Sequence, residues 1–172
     1  MKQYNQAVEL WQSYKIASSA DLDKYLDRFR ILFAFHSGKI ENEEITYYDT
    51  REIFENGRVV NYTGSPHAVF EQQNQKLCYE VLKEKIIQKE PLSIELVKEI
   101  HKVLTGGTYD ERRYIANEER PGEFKKHDYV TGIHEVGSAA ENVEKDMTEL
   151  IAEVNEYREG CFKSCRLSSC KV

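Results

Sequence analysis

Along this 172-residue chain, serine or threonine repeatedly stands just before a run of apolar residues at helical spacing. Such a hydroxyl accepts a hydrogen bond from an orphan N–H of the first helical turn, so the pattern dictates helices separated by short connections. Residues 18–21, Ser-Ser-Ala-Asp, can cap a helix carrying Leu22, Tyr25, Leu26, Phe29, Ile31, Leu32, Phe33 and Phe35, an aromatic-rich face expected to lie on the core. Thr46-Tyr47-Tyr48-Asp49 has capping-box spacing and starts a short helix to about Glu55, closed by Asn56-Gly57. Ser65-Pro66 pairs a cap with proline at the first helical position, ahead of Val69, Phe70, Leu77, Val81, Leu82 and Ile86. Pro91 breaks that run, and Ser93 caps a helix ending at Gly106-Gly107. Ser138-Ala139-Ala140-Glu141 opens a last one with Val143, Met147, Leu150, Ile151 and Val154. Val8, Leu10, Trp11, Tyr14 and Ile16 suggest a shorter leading helix or ordered arm.

Between Gly106 and Ser138 the helical period disappears. Pro121-Gly122-Glu123-Phe124 and Tyr129-Val130-Thr131-Gly132-Ile133 read as two short extended pieces around a turn. The expected fold class is mostly α, with one small β-like hairpin.

This length buries one respectable core rather than two full domains. With 24 basic and 30 acidic side chains the formal charge is −6, which argues against a general nucleic-acid binder. No apolar stretch is long enough for a membrane span and the first residues carry no apolar signal core, so the expected location is cytoplasmic. Cys78 sits in a helical pattern as a buried small hydrophobe. Cys161, Cys165 and Cys170 crowd residues 159–172, where no apolar period exists, and that tail is expected to be disordered.

Chemistry-bearing residues are sparse. His36, His67, His101, His127 and His134 form no metal-helix pair, and a surface, packing or cap role accounts for each. The terminal cysteines lack knuckle spacing and a fourth ligand, so no metal site is expected. The sequence has no phosphate loop, no dinucleotide fingerprint and no nucleophile elbow.

One polar segment stands out: Ser37-Gly38-Lys39-Ile40-Glu41-Asn42, a carboxylate four residues after a serine at a helix end. With residues 45–53, with 92–101, and with the pieces at 121–124 and 130–133, it resembles the bacterial Fic/DOC proteins over about residues 25–158. The family's inhibitory pattern is Ser or Thr, three variable residues, Glu, then Gly or Asn. The resemblance implies a Fic-like helical bundle, incomplete at the C-terminus, with an inhibitory helix around 21–42 and a flap around 120–135 within residues 1–158. It implies AMP transfer from ATP, with Mg²⁺, to a hydroxyl of a target protein. It assigns Glu41 to pair with a phosphate-gripping arginine, Ser37 to steady it, and Asn42 to end the element. Pro121, Gly122, Glu123, Phe124, Val130, Thr131, Gly132 and Ile133 become the target-docking flap.

The family's catalytic loop begins His-Pro-Phe and continues through Gly-Asn-Gly-Arg; neither stretch occurs in these 172 residues. No catalytic or metal residue is therefore carried over. The chain alone is expected to be inactive and to hold neither ATP nor Mg²⁺ firmly. Two further readings stand beside the regulatory one: a binding module that inhibits a complete Fic protein in trans, and an unrelated helical structural protein. Self-association to a dimer or larger is expected from apolar helices without a packing partner.

Overall fold

The structure, a computed structural model, describes residues 2–131 and 135–158 and divides the chain into two compact units, 1–90 and 91–172. In the first unit α1 (Lys2–Ser13) precedes α2 (Ser19–Glu41), α3 (Tyr47–Asn56) and α4 (Pro66–Ile87). The last three pack on one another. No described helix is long and apolar enough to cross a membrane.

The starts of α2, α3 and α4 are set by the caps their sequence supplies. The Ser18 hydroxyl accepts from Asp21 N–H. Its own proton goes to the Asp21 carboxylate; this bond first, then the Ala17 N–H, holds that carboxyl below its ordinary value. Thr46 and Asp49 form a reciprocal capping box, each side chain accepting the other's backbone N–H at 3.1 Å. Asp49 is buried there while Thr46 is exposed, so the box sits at the edge of the unit with its carboxylate turned inward. Thr46→Ala is expected to cost about 1.5 kcal/mol of stability, read as a lower urea midpoint at unchanged slope. Gly57 ends α3 in the left-handed region, at φ 66°. Ser65 caps α4, with Pro66 at its first position.

The core gathers Ile31 and Ala34 of α2 with Ile53 and Phe54 of α3, and Val59 and Val69 pack against it. Here the structure corrects the aromatic face. Tyr25, Phe29, Leu32 and Phe33 are exposed, while of that face α2 turns Leu22 and Ile31 inward, together with Ala34 and Gly38. On α4 likewise Phe70, Leu77, Val81 and Ile86 are exposed, and Ala68, Gln72, Asn74 and Cys78 are buried. The reason is close approach: small residues on α2 let α4 come near enough for the Gln72 amide to donate to the Ala34 carbonyl at 3.1 Å. Long side chains facing inward would hold the backbones apart. Asp23 adds polar ties from α2, accepting from Tyr79 O–H at 2.9 Å and pairing with Lys83 at 3.1 Å.

In the second unit Ser93 caps α5 (Ile94–Leu104), and the Thr105 hydroxyl closes it by donating to the His101 carbonyl. A π-helical turn (Arg112–Ala116) follows, where no helical period is legible. Strands β1 (Val130–Thr131) and β2 (Glu135–Val136) pair antiparallel, Val130 opposite Val136 and Thr131 opposite Glu135. Residues 121–124 are not an extended partner in this pairing. They belong to a turn in which Glu123 N–H donates to the Arg120 carbonyl, with Gly122 at φ 86°. Helix α6 (Val143–Arg158) begins five residues beyond the Ser138 signal. A tight turn at 139–142 intervenes, anchored by the Ala140 N–H on Asp128 at 2.7 Å. Leu96 of α5 and Ile151 of α6 are buried, and Asn155 donates to the Leu92 carbonyl. The cysteines at 161, 165 and 170, and Gly132, Ile133 and His134, lie outside the described residues.

Candidate functional site

The segment at 37–42 is the last turn of α2 together with its cap. Asn42 stops the helix in extended backbone, its N–H donating to the Gly38 carbonyl at 2.8 Å. Its side-chain oxygen accepts the Glu44 N–H at 2.9 Å, which turns the chain toward α3. Lys39 reaches forward to the Glu43 carbonyl. Ser37 lies one turn before Glu41, half-buried, and its hydroxyl makes no hydrogen bond among the described residues.

Gly38 does more to fix this turn than Ser37. A Cβ at Gly38 would stand 2.0 Å from Gln72 Nε2, so α4 presses on α2 at the residue that precedes the carboxylate by three. Sequence reading passed over this glycine, although an isolated glycine inside a helical pattern is a signal of close packing.

Glu41 itself is exposed and has no hydrogen bond or ion pair among the described residues. It stands in the last turn of α2, where unsatisfied carbonyls make the field negative and a carboxylate is disfavoured. Its neighbour Ile40 is 82% exposed, an apolar side chain projecting into solvent beside a charge. Glu41→Gln is accordingly expected to leave the unit as stable or slightly more so, within about 0.5 kcal/mol in a urea melt.

The second unit contains a different constellation. The carboxylate of Glu119 is 3% exposed and accepts from Tyr129 O–H at 2.7 Å and Arg113 Nε at 3.1 Å. Asn117 donates to the same Tyr129 oxygen at 2.9 Å. Burial pushes the Glu119 carboxyl up, but the bonds from Tyr129 and Arg113 and the guanidinium charge outweigh it and leave it below its ordinary value. The Arg113 guanidinium lies 3.8 Å over the Tyr109 ring. His101 accepts the Gly122 N–H on Nδ1 at 3.0 Å, and its Nε2 is 3.4 Å from the Tyr109 hydroxyl. Of these groups, His101, Tyr109, Arg113 and Glu119 line a cleft of about 230 Å³ together with Lys98, Phe124 and Met147.

Chemically, this constellation ties a loop together. Among the described residues no serine, cysteine or threonine lines the cleft as a nucleophile, and Arg113 is committed to Glu119. Among the described residues no group of carboxylates, histidines or cysteines is gathered to hold a metal ion such as the magnesium of a bound ATP. The Arg113–Glu119–Tyr129 network escapes sequence reading because its members are scattered through a segment without period.

The residues proposed for a docking flap are thus divided. Pro121, Gly122, Glu123 and Phe124 form or follow the turn on α5, and the Lys98 ammonium lies 4.4 Å over the Phe124 ring. Val130 and Thr131 form the paired strand β1.

No protein-family model matches the sequence, and no curated protein matches it significantly. Among solved structures, the chain is similar to a Fic domain-containing signaling protein from Bacteroides thetaiotaomicron VPI-5482, at 21% sequence identity and a TM-score of 0.69. The match covers 93% of this chain and 58% of that one, so the chain spans little more than half of that protein's length. Mostly helical, and matched over nearly its whole length, the chain has a Fic-like fold.

Proposed function

We propose that this chain is the regulatory portion of a Fic-type protein adenylyltransferase, holding Glu41 in place to block AMP transfer from ATP to a protein hydroxyl. The observation that carries the reading is an unpaired, exposed carboxylate at a helix end whose position is fixed on both sides. Gly38 seats the turn against α4, and Asn42 closes it. A carboxylate left in the unfavourable field of a helix C-terminus is suited to an external cation rather than to stabilising its own helix. The Fic-like fold makes an arginine the cation to expect. A carboxylate on guanidinium forms a charge-assisted, often bidentate bond. It takes the donors that would orient a transferring phosphoryl group and repels the triphosphate.

The base, the metal ligand and the phosphate cradle would come from residues outside these 172, on the same or another polypeptide. The unpaired state of Glu41 also favours a second reading, insertion in trans into a complete Fic protein. One experiment addresses both. The purified chain with labelled ATP and Mg²⁺ is expected to transfer no AMP to itself or to added protein. Mixed in excess with a Fic-type transferase whose own inhibitory glutamate has been replaced, it is expected to lower transfer, and Glu41→Gly is expected to abolish that effect. Robust magnesium-dependent transfer by the chain alone would overturn the regulatory reading. Equal inhibition by Glu41→Gly and the parent chain would remove Glu41 from it.

A further inference from the structure

The contact between His101 and Gly122 joins helix α5 to the turn at 120–123 through one hydrogen bond whose direction depends on a proton. Gly122 N–H donates and His101 Nδ1 accepts, at 3.0 Å, so Nδ1 must be bare and the ring proton of the neutral form sits on Nε2. The approach is close. A Cβ at Gly122 would lie 2.9 Å from Lys102 Cβ and 3.0 Å from the Lys98 carbonyl oxygen, so backbone rests on backbone. The φ of 86° at Gly122 aims its N–H at the ring and would strain any other residue.

We propose that His101 is a proton-sensitive latch for this turn: neutral, it holds residues 120–123 on α5, and protonated on Nδ1, it releases them. An imidazolium has no acceptor, so two N–H groups would face each other across the contact. The chain beyond the turn stays anchored, Tyr129 on Glu119 and Asp128 on the Ala140 N–H, so the release is confined to the turn. The inference rests on the geometry of the second unit and is independent of the function proposed above.

The groups around the ring act in opposite senses, and the net is against the charged form. Burial first, and the Arg113 guanidinium second, disfavour the charged ring; Glu119 favours it. Glu119 is already engaged by Arg113 and Tyr129. In this tautomer Nε2–H faces the Tyr109 hydroxyl oxygen, which stands as its acceptor at 3.4 Å. Lys98 from the same helix, and Arg120, Glu123 and Lys125 from the loop, line the same cleft, while α6 brings only Met147 to it. The latch therefore stays closed through neutral pH and opens below the ordinary histidine range near 6.5.

The test uses the full 172-residue chain, isotopically labelled, from pH 8 to pH 5. His101 ring shifts report its protonation, and hydrogen exchange, corrected for the intrinsic pH dependence of exchange, reports protection of the Gly122 amide. Protection is expected to fall at least about tenfold with the same midpoint as the ring titration. His101→Asn supplies an acceptor without a titrating proton and is expected to keep Gly122 protected throughout. His101→Phe is expected to lose protection at every pH. Gly122 protection that ignores His101 protonation, a parent-like fall in His101→Asn, or a ring still neutral at pH 5 would each overturn the latch.

Discussion

Gly38→Ala is expected to destabilise the first unit by about 3 kcal/mol, although alanine is the better helix former by up to about 1 kcal/mol. The added methyl would stand 2.0 Å from Gln72 Nε2 and 3.2 Å from its Cδ. Gln72 is 1% exposed, so its amide has nowhere wet to go. Its Nε2 is spent on the Ala34 carbonyl, and its Oε1 is already buried without a partner. Displacing the amide strands the donor and acceptor of that bond, at about 1–3 kcal/mol. Moving the helices apart instead opens the core at Ile31, Ala34, Ile53 and Phe54, and overpacking of this kind costs about 1–3 kcal/mol. Urea unfolding followed by hydrogen exchange of α2 amides measures the loss. Shortening the obstructing side chain in Gly38→Ala/Gln72→Ser is expected to recover part of it, with a coupling of about 1–2 kcal/mol. A neutral Gly38→Ala would mean that α2 and α4 do not meet here, and the fixed placement of Glu41 would lose its basis.

The caps were the most legible part of this chain. Thr46 with Asp49, Ser65 with Pro66, and Ser93 each begin a helix where their local chemistry places one, because capping involves only neighbours in sequence. The facing of the helices was not legible. Phe29 and Phe33 look like core residues and are exposed, while Gln72 and Asn74 look like surface residues and are buried. Packing distance decides that, and it is set by residues on another helix. Ser138 shows a local signal overridden by a longer-range one, since Asp128 takes the Ala140 N–H and holds residues 139–142 in a turn. For the candidate site, the spacing of Ser37, Glu41 and Asn42 was visible in the sequence. The role of Gly38 in seating them required the partner helix. The cleft around His101 was invisible because its bonds link residues 101, 109, 113, 119, 122 and 129 across loops without period.

Glu119→Ala is expected to cost the second unit about 3 kcal/mol. Removing one member of a buried pair costs about 3–5 kcal/mol because the other charge is left uncompensated. Arg113 is 41% exposed and regains some hydration, which places the loss at the lower end. Tyr129 loses its acceptor as well but keeps the bond from Asn117. Glu119→Gln keeps the shape and an oxygen for Arg113 Nε, so it is expected to lose less. The pH dependence separates charge from shape. A carboxyl held below its unfolded value contributes stability that is fully present above the unfolded pKa, near 4.5, and is lost as pH falls through the lower folded value. The parent should therefore lose stability in that acid range relative to Glu119→Gln, so the gap between them narrows on acidification. Hydrogen exchange of α5 amides in both chains measures this. A gap that does not change with pH would show that Glu119 acts through its shape alone.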